Sequence, residues 1–187
     1  MQIRNTELIE TEKFQFLRIH KNGNWSIQKI IEELYKDKWS LSTEPSRGRP
    51  RFAVIRDPYS RFISGLKYDL ERQKVDIKDI NIKKLFVSNE IHLRNLLTGN
   101  IKHSISQVPY LINTGISHYI DIEDLNLFLK MHFGKSQHIN KSNMKTEEIE
   151  KYLNKDDIMK YLHLDYYIYN SIKHSPFLWE WQHGKIF

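Results

Sequence analysis

The chain has 187 residues, 40% of them apolar, which is enough for one compact domain with a hydrophobic core. Its 29 basic and 23 acidic residues give a net charge of +6, which favours an anionic partner such as a nucleotide, an acidic sugar, nucleic acid or a lipid surface. Cysteine is absent, which excludes disulfides, cysteine-ligated zinc sites and thiol nucleophiles. We expect a single domain over residues 1–187.

The N-terminal segment is polar and mixed in charge, and it lacks the apolar stretch of a signal peptide. No run of about 18 uncharged apolar residues occurs in the sequence. The lack of cysteine fits an intracellular compartment. We therefore expect a cytoplasmic protein without a transmembrane segment.

Hydrophobic periodicity predicts strands and helices that alternate along the chain. Such alternation indicates an α/β fold with a parallel sheet flanked by helices, because parallel neighbours need crossover connections. The predicted elements are a strand over 14–20, a helix over 26–35, a strand over 52–55, a helix that starts near Pro58, a helix over 81–97, a loop up to residue 114 that contains Pro109, a strand over 116–120, a helix over 122–133 ended by Gly134, and helices over 146–153 and 156–172.

Two turns between a strand and a helix have the pattern of a phosphate site, at residues 21–26 and 56–65. The N–H groups at a helix N-terminus lack intrahelical partners and carry the positive end of the helix dipole, so an anion binds well there. The first turn is not a Walker A loop, because the GxxxxGK[ST] spacing is absent. Instead Lys21 follows the strand, Gly23 lets the backbone approach an anion, and Ser26 offers a hydroxyl. The two turns predict a ligand with two separate phosphates.

Several motifs in chain order resemble the family-2 carbohydrate sulfotransferases, which transfer a sulfuryl group from 3′-phosphoadenosine 5′-phosphosulfate (PAPS) to a hydroxyl. The sequence RDPYSRFISG at 56–65 resembles that family's 3′-phosphate signature, and it lies 35 residues after Lys21. The other similar segments are an H-x-x-P-Q-like element at 103–110, a strand and helix at 119–125, the loop HINKS at 138–142 and the helix YLHLDY at 161–166.

The resemblance implies a P-loop-type α/β fold with PAPS across the carboxyl ends of the strands. It implies that Lys21 stabilises the oxygen between sulfur and the 5′-phosphate, that Arg56 and Ser64 hold the 3′-phosphate, and that His103 takes the proton of the acceptor hydroxyl. The acceptor is expected to be a glycan, and no metal is expected. The residues expected to bind PAPS are Lys21, Asn22, Gly23, Asn24, Trp25, Ser26, Arg56, Ser64 and Lys141.

The first turn departs from the family pattern P-K-x-G-[ST]-T-S. His20 replaces the proline, Asn24 the small residue and Trp25 the threonine, so one hydroxyl donor to the 5′-phosphate is lost. The Trp25 ring either stacks on the ligand or packs into the protein. His20 and His92 compete with His103 for the role of general base.

Other classes of function remain open at this point. A nucleotide-dependent small kinase would share the α/β core, although no Walker lysine or magnesium carboxylate is evident. A nucleic-acid-binding module would use the net charge and the cluster Arg47, Arg49 and Arg51. We nevertheless expect that the protein does not bind nucleic acid. A non-catalytic nucleotide-binding protein is the third alternative. The aromatic tail Trp179-Glu180-Trp181 binds sugar faces, packs in the core or forms a partner surface.

Overall fold

A computed structural model describes residues 7–74, 76–79, 103, 106–112, 114–136 and 144–180. The chain divides into two compact units, and each is described by itself. Unit 1 comprises Met1–Arg56, Gln107–Asn140 and Ile168–Phe187, and unit 2 comprises Asp57–Ser106 and Lys141–Tyr167. The expectation of a single domain over residues 1–187 stays a prediction.

The described part of unit 1 contains five strands in one sheet. They are β1 (Leu8–Thr11), β2 (Gln15–Leu17), β3 (Trp39–Ser42), β4 (Arg51–Ile55) and β5 (His118–Asp121). Their order across the sheet is β3-β1-β2-β4-β5, in which β2, β4 and β5 are parallel and β1 is antiparallel to both β2 and β3. The α/β class is confirmed, but the expectation of an all-parallel sheet is wrong, because the sheet is mixed.

The described residues also form seven α-helices. In α1 the buried Ile27, Ile30 and Ile31 recur at helical spacing, which explains why this segment forms an amphipathic helix. None of the described helices is long and apolar enough to cross a membrane. The helices are α1 (Asn24–Tyr35), α2 (Pro58–Gln73), α3 (Val108–Leu111), α4 (Leu125–Phe133), α5 (Thr146–Glu150), α6 (Lys155–Tyr161) and α7 (His163–Lys173).

One loop prediction and one helix prediction differ from the structure. The segment with Pro109, expected as a loop, contains α3, and proline is tolerated there because it stands in the first helical turn. The helix expected over 156–172 is interrupted at the buried Leu162, where the ring of His163 bonds the carbonyl of Lys160 at 2.9 Å. The predicted helix over 81–97 lies outside the described residues.

One face of the sheet in unit 1 carries a buried cluster that is rich in aromatic rings. Phe14, Phe16 and Phe52 from the sheet pack with α1 and α4, and Trp179 packs edge-on against Phe128 with ring centroids 5.1 Å apart. The backbone around Trp179 pairs with β5 through its N–H, which donates to the Tyr119 carbonyl at 2.7 Å. The core-packing interpretation of Trp179 is therefore confirmed.

The core of unit 2 is smaller and is built on α2. Four residues of that helix, at helical spacing, are buried together with apolar residues of α5, α6 and Leu162. This burial holds α2 in place along most of its length. The α2 residues are Phe62, Ile63, Leu66 and Leu70.

Candidate functional site

The turn between β2 and α1 contains the first predicted phosphate site, and its backbone is unusual at two positions. Lys21 has φ 67° and Gly23 has φ 77°, so both adopt the left-handed conformation, which is uncommon for lysine and easy for glycine. A Cβ atom on Gly23 would lie only 2.4 Å from Cδ2 of Leu125. The backbone conformation thus favours glycine here, and any side chain would also displace the end of the Leu125 side chain.

A closed ring of hydrogen bonds joins this turn to the end of β4. The buried Asn22 donates from Nδ2 to the Val54 carbonyl at 2.6 Å and to Oε1 of Gln107 at 3.1 Å. Nε2 of Gln107 donates to the Arg56 carbonyl at 3.0 Å, and Nη1 of Arg56 donates to the Lys21 carbonyl at 3.0 Å. We call Lys21, Asn22, Arg56 and Gln107 the turn ring. It holds together the loops that follow the neighbouring parallel strands β2 and β4, which is where α/β folds bind ligands.

The residues at the start of α1 differ in exposure. Asn24 and Ser26 are buried, whereas the Trp25 side chain is 52% exposed. Trp25 is therefore partly covered and partly accessible, and both interpretations of its ring, stacking and packing, stay predictions. The backbone N–H of Asn22 donates to the Ile19 carbonyl at 3.2 Å. The backbone amide and the side-chain amide of Asn22 therefore both stabilise the turn.

The N-termini of α1 and α2 differ in charge. Gly23 caps α1 without a side-chain hydrogen bond, and the first turn of α1 contains no acidic residue. By contrast, the carboxylate of Asp57 caps α2 by accepting from the Ser60 N–H at 2.8 Å. An anion from the chain itself therefore occupies the start of α2. Of the two turns, the first retains a helix N-terminus that suits a phosphate, and the second offers the Arg56 side chain instead.

The remaining predicted site residues belong to unit 2 or lie outside the described residues. Ser64 is half-buried on α2. His103 is also half-buried, and its Nδ1 lies 2.6 Å from Oδ1 of Asp69. Lys141 and the competing base His92 lie outside the described residues. The structure thus brings Lys21, Asn22 and Arg56 together within unit 1 and pairs His103 with a carboxylate in unit 2.

Asp69 is a candidate that the sequence interpretation missed. It lies on the apolar face of α2 beside Leu66 and Leu70 and is itself only 2% exposed. A charged residue within a buried helical stripe is unusual, because burying an ionised carboxylate is costly unless it is paired. That departure from the apolar pattern is the sequence signal that singles out Asp69.

Asp121, at the carboxyl end of β5, has a full set of partners. Its Oδ2 accepts from the Tyr169 hydroxyl at 2.9 Å and from Nζ of Lys173 at 2.8 Å, and its Oδ1 accepts from the Glu123 N–H at 3.1 Å. The hydrogen bond to Asp121 is the main cause that raises the pKa of Lys173. This buried carboxylate is satisfied by the protein and stabilises the end of the strand.

Two tyrosines of unit 2 hold their protons tightly. Burial, the charge of Asp57 and the hydrogen bond to Asp57 raise the pKa of Tyr166 to about 12. Burial and the hydrogen bond to Glu150 raise the pKa of Tyr59 to about 12. Both phenols are therefore neutral hydrogen-bond donors near neutral pH, and Tyr166 supports the residue that caps α2.

Comparison of the chain with models of protein families, with curated proteins and with solved structures finds no match. The functional assignment therefore depends on the residues and geometry of this chain. Within the described ranges, no group of three histidine, aspartate or glutamate side chains is placed to hold a metal ion. The expectation that the protein uses no metal stays a prediction.

Proposed function

We propose that the protein is a PAPS-dependent sulfotransferase that moves a sulfuryl group from PAPS to a hydroxyl of a carbohydrate. The observation that carries the proposal is the turn ring, because it links Lys21 and Arg56, the two residues to which the sequence motifs assign the two phosphate ends of PAPS. Both residues follow neighbouring parallel strands of an α/β sheet, in keeping with a P-loop-type site.

In this proposal the 5′-phosphosulfate binds at the start of α1. The helix dipole favours an anion at residues 24–26, and the absence of an acidic residue in the first turn leaves that field in place. Trp25, with its exposed ring, is available to stack on the nucleotide. The backbone of Gly23 and the fixed turn at Asn22 give the loop the shape that the phosphate requires.

Arg56 is the proposed ligand of the 3′-phosphate. Its bond to the Lys21 carbonyl orients the guanidinium, and a planar guanidinium suits a phosphate because it can donate two parallel hydrogen bonds. Selection of PAPS over ordinary adenine nucleotides would follow from this contact, since those nucleotides lack the 3′-phosphate. The roles of Ser64 at the same phosphate and of Lys141 over the nucleotide stay predictions.

The proposed reaction is an in-line displacement at sulfur. The acceptor oxygen bonds to sulfur while the bond from sulfur to the 5′-phosphate oxygen breaks, which yields a sulfate ester and 3′-phosphoadenosine 5′-phosphate. Lys21 would stabilise the negative charge that develops on the departing oxygen, and His103 would take the proton of the acceptor hydroxyl. Positioning and charge stabilisation supply most of the rate, as in phosphoryl transfer.

The direct test is transfer of labelled sulfate from PAPS to a panel of glycans, with wild type, Lys21→Ala and Lys29→Ala. Lys29 is the matched control, because it lies on α1 in the same unit and pairs with Glu32 at 3.0 Å. We expect transfer by wild type and Lys29→Ala, and a loss of about 100-fold or more in kcat for Lys21→Ala.

Unchanged transfer by Lys21→Ala would contradict the role of that lysine. If 3′-phosphoadenosine 5′-phosphate binds but no glycan is sulfated, the protein is a non-catalytic nucleotide-binding protein instead. A cytoplasmic location and a glycan acceptor are part of the same proposal, and the acceptor panel tests the second.

A further inference from the structure

A buried histidine–aspartate pair lies in unit 2. Asp69 is 2% exposed, and its Oδ1 lies 2.6 Å from Nδ1 of His103, whose side chain is 12% exposed. Within the described part of the chain, the second oxygen of Asp69, Oδ2, is buried and has no hydrogen-bond partner. The described structure therefore gives this carboxylate a single hydrogen-bonding side chain, which is His103.

The position of Asp69 is costly for folding. A carboxylate in an apolar interior loses its hydration, and one hydrogen bond restores only part of that loss. Leu66, one helical turn before it, and the adjacent Leu70 are both buried in the apolar core of unit 2. An ionisable group kept at such a position, in contact with a histidine, indicates a chemical role.

The contact also determines which ring nitrogen carries the proton. When the Asp69 carboxylate is ionised it only accepts hydrogen bonds, and Nδ1 of His103 is then the donor. In the neutral imidazole the other nitrogen, Nε2, then carries the lone pair. The ring of Tyr68 packs against the imidazole, with ring centroids 4.4 Å apart and an interplanar angle of 61°, and so limits its rotation.

We infer that Asp69 is the positioning residue of the general base: it holds His103 with the proton on Nδ1 and directs the lone pair of Nε2 to the acceptor hydroxyl. This inference rests on the proposed function and adds a residue to it. As the acceptor oxygen bonds to sulfur and the bond from sulfur to the 5′-phosphate oxygen breaks, the hydroxyl proton moves to Nε2. The resulting imidazolium is stabilised by the charge of Asp69.

The first test reads the ring itself by ¹⁵N nuclear magnetic resonance, which distinguishes protonated from unprotonated ring nitrogens. The His103 signals are assigned as those lost in His103→Gln. We expect the neutral ring of the wild type, observed at a pH above its own titration, to carry the proton on Nδ1. In Asp69→Asn the amide can donate as well as accept, so the preference for this tautomer is lost.

The second test measures transfer with the same variants and with Glu150→Gln as control. Glu150 is a half-buried carboxylate of unit 2 that accepts from the Tyr59 hydroxyl at 2.9 Å. We expect Asp69→Asn to lower kcat about 100-fold while KM for PAPS changes little, because the loss concerns proton transfer. Glu150→Gln lowers stability but keeps kcat and the His103 tautomer.

The outcomes separate this inference from the proposed function. A neutral wild-type ring with the proton on Nε2 overturns the inference, as does an unchanged tautomer in Asp69→Asn. Full kcat in a folded Asp69→Asn overturns it as well. If wild type transfers no sulfate, the proposed function fails and the base role of the pair fails with it, while the ring signals still decide whether Asp69 sets the tautomer.

Discussion

Lys21 combines two properties that oppose each other. Its left-handed backbone is unfavourable for a residue with a side chain, whereas its ammonium is the charge that the proposed transfer requires. The described chain contains two other non-glycine residues with positive φ, Lys36 and Lys74, and each directly follows a helix and donates its N–H to a carbonyl of the last turn. Only Lys21 carries it within a predicted ligand site, which indicates strain retained for function.

The first prediction compares Lys21→Gly with Lys21→Ala. Both substitutions remove the ammonium, but only glycine relieves the left-handed backbone, so Lys21→Gly is expected to be about 1 kcal/mol more stable than Lys21→Ala. Urea denaturation measures the difference, and the transfer assay shows loss of activity in both variants. Equal stability of the two variants would mean that the turn is not strained at Lys21.

The second prediction concerns Gly23, with Gly134 as its control. Both have positive φ, of 77° and 70°, but a Cβ on Gly134 would meet nothing within 4 Å, whereas one on Gly23 would meet Leu125 at 2.4 Å. Gly134→Ala therefore lowers the free energy of unfolding by about 1 kcal/mol, through the backbone conformation alone. Gly23→Ala lowers it by about 1 to 3 kcal/mol more, because the Leu125 side chain must also shift. Equal losses in urea denaturation would contradict the packing around the turn.

At the scale of elements, the predictions succeed where the signal is local. The helical spacing of Ile27, Ile30 and Ile31 predicts α1, the apolar run ending at Ile55 predicts β4, and Gly134 correctly marks the end of α4. The strands β1 and β3 are missed because β1 lies in the polar N-terminal segment and β3 merges with a polar stretch that looks like a turn. Their antiparallel pairing makes the sheet mixed, and the partners in β1 and β3 lie about 30 residues apart.

The start of α2 gives a prediction on pH dependence. Tyr166 donates to the capping Asp57, and its pKa in the folded protein is about 12, against 10.0 for an ordinary tyrosine. The folded state holds this proton more tightly, so the stability that Tyr166 contributes is complete below pH 10 and is lost as the pH rises through about 12. Wild type should therefore lose more stability than Tyr166→Phe between about pH 9 and about pH 11.

Thermal denaturation at the two pH values measures this loss. The control is Tyr167→Phe, because the Tyr167 side chain is 68% exposed and follows directly in the sequence. The control should behave as wild type does. A pH dependence that is the same in wild type and Tyr166→Phe would show that the bond to Asp57 does not hold the proton of Tyr166.

At the scale of the whole molecule, the candidate site is only partly predictable from sequence. The motifs single out Lys21 and Arg56, and strand order places their loops side by side. The turn ring could not be predicted, because Gln107 lies 85 residues from its partner Asn22. The pair of His103 and Asp69, which are 34 residues apart, depends likewise on the folded chain. The net charge of +6 favours an anionic ligand but does not select PAPS among them.

The central claim is that Arg56 gives the protein a site for a 3′-phosphate, and calorimetry tests it most directly. The ligands are 3′-phosphoadenosine 5′-phosphate and AMP, and the proteins are wild type, Arg56→Ala and Arg49→Ala. Arg49 is the control, because it belongs to unit 1 but bonds the Thr11 carbonyl at 2.9 Å, near the start of β2.

We predict that wild type and Arg49→Ala bind 3′-phosphoadenosine 5′-phosphate about 10- to 100-fold more tightly than AMP, since a charged hydrogen bond contributes about 1.5 to 3 kcal/mol. Arg56→Ala should lose this preference while its affinity for AMP stays the same. Equal affinity of the wild-type protein for the two ligands, or an undiminished preference in Arg56→Ala, would contradict the account.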